Sequence, residues 1–314
     1  VKLLRNLHEF DSTLRHGAVS IGNFDGVHRG HAQLARRLVS HARRVAGPAV
    51  IFTFEPHPVR LLRPDLAPPP LTWTERKAAL LAELDVDALI AYPTDMQLLS
   101  LTPQAFFEQI VCETLAARAV VEGPNFYFGK DRAGDIHCLR ALCAEHQIEL
   151  EIVAPLRLDG ETISSSRVRR LLAAGEIATA TPMLTRPYRI RGMVTHGAGR
   201  GHQLGFPTAN VDAVDTLVPA HGVYAGCAHG VGEHWPAAIN VGPNPTFGEH
   251  ATKLEVHLIG FNGSLYGEPL EVDFLARLRD IHTFSSVDKL LAQLRIDVER
   301  ATQIARDGGL KAHE

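Results

Sequence analysis

At 314 residues the chain is long enough for two domains, since roughly 100 to 200 residues build one core. Hydrophobic residues make up 45% and charged residues 21%, which excludes a disordered or fibrous chain. With 32 Lys+Arg against 35 Asp+Glu the formal charge is -3, so no global basic field is present to hold nucleic acid or an anionic membrane, and any phosphate must be met locally. No apolar run approaches the roughly 18 residues of a membrane helix, and the opening VKLLRNLHEFDSTLRHG mixes both charge signs, so a cytoplasmic protein is expected. Cys112, Cys138, Cys143 and Cys227 lack C-x-x-C spacing and predict reduced thiols.

From residue 17 to about 154 short β-rich runs alternate with helical patterns, which predicts an α/β doubly wound parallel sheet. The strands are GAVSIG (17 to 22), AVIFTF (49 to 54), VDALIAY (86 to 92), AVVEG (119 to 123) and ELEIVAP (149 to 155). Helices are predicted over HAQLARRLVSHARRV, TERKAALLAEL, the run from Thr102 with Pro103 at its first position, and GDIHCLRALCAEHQ. EPHPVRLLRPDLAPPP (55 to 70) breaks this rhythm and reads as a surface excursion. A helix near Ser166 to Ala174 leads into a small, polar stretch with Pro182 and Pro187, so the domain boundary is placed near 185: residues 1–185, then 186–314. Beyond it, β-runs punctuated by glycine (YRIRGMVTHG, GVYAGCAHG, WPAAINVG, KLEVHLIGF, LEVDFLARLRD) predict a small antiparallel barrel or sandwich, with NGSLYG as a hairpin between the last two. The C-terminal helix SSVDKLLAQLRIDVERATQIARD opens on a Ser285-x-x-Asp288 capping pattern.

Within SIGNFDGVHRGH a strand runs into a glycine-rich turn and then a helix, the geometry of an anion site. Gly22, Gly26 and Gly30 allow close backbone approach, and the helix start offers free N–H groups to phosphate. His28 and His31, three apart, share one face of the first turn. The alternatives are histidines that merely cap the helix, or a zinc site, for which two ligands are too few. His137, Cys138, Cys143 and His146 spread around one helix and read as packing and surface.

GNFDGVHRGH resembles the H-x-G-H signature of the nucleotidylyltransferase superfamily in the form seen in bifunctional riboflavin kinase/FMN adenylyltransferases, the prokaryotic FAD synthetases. ISSSRVR, with Ser164, Ser165 and Ser166 followed by Arg169, is similar to the second superfamily signature, and its hydroxyls and guanidinium suit a pyrophosphate leaving group. The resemblance implies an ATP site that includes Asn23, Phe24 and Asp25 as well as the glycines of the turn. FTFEPHP and GPNFYFGKDRAGD also resemble family segments, and the latter implies a flavin side with Asn125 and Phe128 as candidates.

In the second domain GAGRGHQLGFPTAN resembles the riboflavin kinase signature, a glycine loop before P-T-A-N, which implies ATP contacts at Gly199, Gly201 and Pro207. Thr208 and Asn210, alternate residues of an extended segment, face one side and offer hard oxygens to Mg²⁺. No Walker A sequence occurs. Glu255, inside a β-run between Leu254 and Val256, matches the family's catalytic glutamate, and INVGPNPTFG fits a nucleotide-side loop.

The resemblance, which spans about residue 17 to about 300, implies an enzyme that phosphorylates riboflavin with ATP in the C-terminal domain and adenylylates FMN to FAD in the N-terminal one. Glu255 would be the base of the first step, and His28, His31, Ser165 and Arg169 would stabilise charge in the second. Riboflavin, FMN, FAD and ATP are the expected partners, without nucleic acid or membrane, and self-association into a homo-oligomer is left open. Two rivals stand beside this reading: nucleotidyl transfer to another phosphorylated metabolite, and a flavin-sensing regulator without turnover.

Overall fold

The computed structural model describes residues 1–197, 200–230, 232–243 and 252–308. The chain divides into two compact units, the first Val1–Pro68 with Thr72–Ser164, the second Pro69–Leu71 with the chain from Ser165 onward. Among the described residues the first unit holds a six-stranded sheet of β1 (Lys2–Leu4), β2 (Ala18–Ile21), β3 (Ala49–Glu55), β4 (Ala88–Pro93), β5 (Ala119–Glu122) and β6 (Glu149–Ile152). Its order is β1-β4-β3-β2-β5-β6, parallel throughout. β1 is absent from the sequence reading because three residues are too few to show a period; it pairs Lys2–Leu4 with Ala88–Ile90. A small ribbon, β7 (Arg157–Leu158) with β8 (Glu161–Thr162), follows the sheet.

Both faces of the sheet are covered, as the uninterrupted apolar strands require. Val19, Ile21, Val50, Phe52, Ala88, Ile90 and Val120 face one core, with Phe106, Ile110, Leu139 and Leu142 from the helical segments over 103–114 and 136–145. Ala18, Ala49, Ile51, Leu89, Ala119 and Val121 face the other, with Ala35, Leu38, Ala78 and Leu81 from the helices Arg29–Arg44 and Thr74–Ala82. Strand order reverses at β2, where an open α/β sheet leaves a crevice at the carboxyl ends of its strands. The β2–β5 ladder covers only Ala18 and Val19; beyond it the carboxylate of Glu122 accepts from the Ile21 N–H at 2.5 Å. Burial holds this carboxyl well above its usual range.

In the second unit β9 (Tyr188–Thr195), β10 (Ala209–Asp212), β11 (Gly222–Gly230), β12 (Glu233–Gly242), β13 (Lys253–Leu258) and β14 (Pro269–Arg279) close into an antiparallel barrel of order β10-β13-β12-β11-β14-β9. β13 pairs with β10 and β12 and β14 with β11 and β9, so NGSLYG is a connection across the barrel and not the expected hairpin. The helix Val287–Asp307 packs on β11, β12 and β14, where Ala301 shares a core with Val223, Ala225 and Leu278. Its N-cap is Ser286, whose hydroxyl accepts from the Lys289 N–H at 3.3 Å, one residue later than the expected Ser285 pattern.

One buried ion pair fastens this helix. Asp297 is 1% exposed and accepts from Nε of Arg279 at 3.0 Å, from its Nη2 at 2.8 Å and from Nε2 of Gln293 at 2.9 Å. Removing the carboxylate strands a guanidinium, a change that costs about 3–5 kcal/mol in buried pairs. Asp297→Ala is therefore expected to destabilise the second unit by about that amount. Trp235 lies in this unit and Trp73 in the first, so urea unfolding followed by Trp235 fluorescence in a Trp73→Phe background measures the loss.

Candidate functional site

In the first unit the site grows out of the end of β2. The Gly22 N–H still donates to Phe52 O at 2.9 Å, and the chain then turns, with Val27 N–H donating to Phe24 O at 3.3 Å. Phe24 (φ 46°), Gly26 (φ 81°) and Val27 (φ 35°) all take positive φ, which is rare for a β-branched residue and strained for phenylalanine. Burial of Phe24 and Val27 holds the turn in this shape. Thr72 braces it from outside: its hydroxyl accepts from the Gly26 N–H at 3.1 Å, and its own N–H donates to Asp25 Oδ1 at 3.1 Å.

His28 does not sit inside the first helical turn as the sequence spacing suggests; it is the N-cap of the helix Arg29–Arg44. Its Nδ1 accepts from the His31 N–H at 3.2 Å, so the neutral ring carries its proton on Nε2. His28 therefore caps the helix, and capping also aligns the pair: the two rings stack with centroids 3.6 Å apart and planes 12° apart. A Cβ on Gly30 would lie 3.1 Å from the His28 ring, so glycine there lets the imidazole fold back on the helix start. Burial pushes His28 down to about 4, and burial together with the charges of His28 and Lys77 holds His31 well below the imidazole range. Both rings are neutral at physiological pH and act as hydrogen-bonding groups. Nδ1 of His31 and Oδ1 of Asn23 are buried without a hydrogen-bond partner among the described residues.

Ser164 closes the first unit, whereas Ser165, Ser166 and Arg169 open the second on the helix Ser165–Ala173. Arg169 Nε donates to Pro69 O at 3.0 Å within that unit. Asn125 is exposed in the turn after β5, while Phe128 is only 6% exposed and packs into the core, stacked on Phe126 at 5.3 Å. Lys77, on the helix Thr74–Ala82, is 5% exposed and donates to Thr53 Oγ1 at 3.4 Å. Sequence reasoning missed it, as it missed Thr72 and Thr53, because a lysine in an amphipathic helix reads as surface.

The second unit brings its predicted residues together. Asn210 on β10, Glu255 on β13 and Asn240 on β12 lie side by side in register, and Asn240 Nδ2 approaches Glu255 Oε2 at 3.5 Å. The alternation along KLEVHL explains the carboxylate between Leu254 and Val256: the leucine and valine are buried on one face, while Lys253, Glu255 and His257 share the other. Gly201, Pro207, Thr208, Asn210, Asn240 and Glu255 line one cavity of about 360 Å³. Pro207 O accepts from His257 Nδ1 at 2.7 Å, and burial lowers that imidazole. Gly199 lies outside the described residues, as does part of the loop over 239–248.

The donor set suits a hard divalent cation. Thr208 and Asn210 present neutral oxygens and Glu255 an anionic one, and no group of three His, Cys, Asp or Glu among the described residues forms a closed metal cage. Glycine keeps that space open, since a Cβ on Gly201 would meet Thr208 Oγ1 at 3.1 Å and one on Gly197 would meet Asn210 Nδ2 at 2.0 Å.

Two family models match the chain in the same order as these sites: FAD synthetase over residues 11–167 and riboflavin kinase over residues 184–305. The chain belongs to the bifunctional riboflavin kinase/FMN adenylyltransferase family. A relative of that name from Pseudomonas fluorescens is 36% identical over 97% of this chain and 98% of its own. The Escherichia coli (strain K12) relative is 36% identical over 95% of this chain and 96% of its own. A crystal structure described as a macrolide-efflux protein from Streptococcus pneumoniae matches with TM-score 0.84 and 32% identity, covering 96% of this chain and 98% of that one.

The buried imidazoles make stability depend on pH. For a histidine whose folded pKa lies near 4 against 6.5 unfolded, the unfolded chain binds the extra proton between those values. The contribution is thus intact above about 6.5 and falls away as the pH drops toward 4, by about 3 kcal/mol for His28. Urea unfolding followed through Trp73, in a Trp235→Phe background, is expected to weaken over that window, and His28→Gln to flatten the slope.

Proposed function

We infer that the two reactions divide between the two units, each carried out where its motif lies. The chain is a riboflavin kinase and FMN adenylyltransferase: ATP phosphorylates riboflavin in the C-terminal part, and a second ATP adenylylates FMN to FAD in the N-terminal part. The order of the two family matches, FAD synthetase over residues 11–167 and riboflavin kinase over residues 184–305, carries this conclusion. The efflux description of the pneumococcal structure brings no second reading here, where no helix of the described residues is long and apolar enough to cross a membrane.

In the kinase step Glu255 takes the proton of the riboflavin 5′-hydroxyl as that oxygen attacks the γ-phosphorus of ATP, and ADP leaves. Asn240, 3.5 Å from its carboxylate, orients it. Thr208 and Asn210 are the residues that would hold Mg²⁺. When bound, this ion neutralises charge on the transferred phosphoryl group. Gly199, Gly201 and Pro207 are assigned to the ATP side of the same cavity, where glycine admits the phosphates close to the backbone.

In the transferase step an FMN phosphate oxygen attacks the α-phosphorus of ATP and pyrophosphate leaves. That phosphate is already ionised near neutral pH, so no general base is needed. The turn from Gly22 to Gly26, with Asn23, Phe24, Asp25 and Gly30, is assigned to the ATP phosphates, which its glycines let approach the backbone closely, and His28 donates from Nε2 with His31 beside it. Ser164, Ser165, Ser166 and Arg169 carry the second signature and are assigned to the leaving pyrophosphate. Asn125, exposed after β5, is assigned to the flavin, with Phe128 shaping the wall behind it.

The reading keeps the domain border near 185, at the start of the riboflavin kinase match over 184–305, and the enzyme in the cytoplasm, where ATP and riboflavin meet; it calls for no nucleic acid or membrane.

His28→Ala is expected to lower FAD formation by about 10²–10⁴-fold and leave riboflavin phosphorylation intact. Glu255→Gln is expected to do the reverse when FMN is supplied. Chromatography of the flavins after incubation with ATP, Mg²⁺ and either riboflavin or FMN reads both; one change abolishing both riboflavin phosphorylation and FAD formation from supplied FMN in a folded protein refutes the division, and flavin released unaltered by the wild type supports a sensor instead.

A further inference from the structure

The buried Lys77 is a charge that the chemistry above does not use. Lysine is seldom buried unless paired, yet this one is 5% exposed and makes no ion pair among the described residues. Its single hydrogen bond, 3.4 Å to Thr53 Oγ1, is long for an ammonium with three donors. Thr53 in turn donates to Asn23 O at 3.2 Å, so the ammonium is joined by one hydroxyl to the backbone of the phosphate turn. Burial lowers the Lys77 ammonium, Asp25 in that turn and Glu55 at the end of β3 counter this from a distance, and its charge is felt at His31. A surface role does not account for a cation in this position, and a core role would favour an apolar side chain of similar volume.

We propose that Lys77 is a positioning residue for adenylyl transfer: a buried ammonium behind the turn from Gly22 to Gly26 that braces it through Thr53 and Asn23 and adds positive charge behind the phosphate chain of ATP bound there. The inference rests on the assignment of His28 and the turn to that ATP. Lys77 touches neither substrate; it acts through the turn and through the field it projects. The same field disfavours a second positive charge on the stacked imidazoles, so Lys77 adds to the burial that holds His31 neutral. Among the described residues, the titratable groups that bear on His31 are His28 in the stack and Lys77 from the helix Thr74–Ala82.

The test uses the full-length enzyme carrying Lys77→Met, which keeps the apolar stem, and Lys77→Ala. Riboflavin phosphorylation in the same preparation reports ATP quality and an intact second unit, and urea unfolding followed through Trp73 in a Trp235→Phe background reports folding of the first. Expected is a fall of about 10²-fold in kcat/KM for ATP in FAD formation, with phosphorylation unchanged. The acid limb of the FAD-forming pH profile is expected to move toward neutral pH, because His31 regains basicity when the neighbouring charge is gone. Propylamine is expected to restore part of the activity of Lys77→Ala. Wild-type kinetics in both variants overturn the proposal; so does a loss of FAD formation with an unmoved acid limb and no amine rescue, which marks Lys77 as a packing residue. A His28→Gln control separates the two layers: if it leaves FAD formation unaffected, the assignment of the site fails, and if it blocks FAD formation while the Lys77 variants do not, only this inference fails.

Discussion

The hydrogen bond from the His31 N–H to Nδ1 of His28 orders the ligand end of the first unit. By occupying Nδ1 it leaves the proton on Nε2, so a neutral ring is delivered as a donor in one tautomer. By folding the His28 side chain back over the helix start it brings the two imidazoles into a stack 3.6 Å between centroids. That stack is incompatible with two positive charges, and burial lowers both rings further. Much of the nearby sequence serves this one contact: Gly30 because a Cβ would press on the ring at 3.1 Å, and the strained φ of Phe24 and Val27 because the chain must turn sharply between β2 and the helix. Strain of about 1–3 kcal/mol per such residue is tolerated where surrounding structure over-determines the turn, and the Thr72 bonds to Gly26 and Asp25 do so here.

The barrel reaches a phosphate site by other means. No long helix start or strained turn is needed; strand alternation places the donors. Three adjacent strands, β10, β13 and β12, set Asn210, Glu255 and Asn240 in one row, while Leu254, Val256 and Ile239 fill the opposite face. A row of this kind is rigid because each side chain stands on a hydrogen-bonded ladder, which suits a step that depends on positioning. The cost is that polar groups occupy the face toward the C-terminal helix, whose Leu290 and Leu294 line the same cavity, and the Arg279–Asp297 pair anchors that helix there.

Local patterns were legible in the sequence, and non-local partners were not. The strand, turn and helix around Gly22 to His31, the parallel sheet and the alternation around Glu255 all follow from residues within one or two turns of each other. Two misreadings share one cause: β1 exists because β4 offers an edge to Lys2–Leu4, and NGSLYG crosses the barrel because β13 pairs with β10 and β12. The burial of Phe128 against Phe106 and Phe126 is non-local in the same way. Lys77 belongs with them: nothing in TERKAALLAEL distinguishes a lysine facing solvent from one facing Thr53, and only the packing of its helix against the sheet decides it.

On the proposed assignment the two sites handle phosphate with opposite electrostatics. The barrel presents a carboxylate, which would call for a cation to share its cavity with ATP. The sheet presents neutral imidazoles and a cation set back in the core, which would receive anionic phosphates directly. This contrast explains how a chain with formal charge -3 holds two nucleotide-dependent chemistries without a basic surface. It also ties each chemistry to its own proton inventory. On the proposed assignment the kinase step uses Glu255 to accept a proton, whereas the transferase step uses a phosphate that is already ionised and histidines that burial keeps neutral.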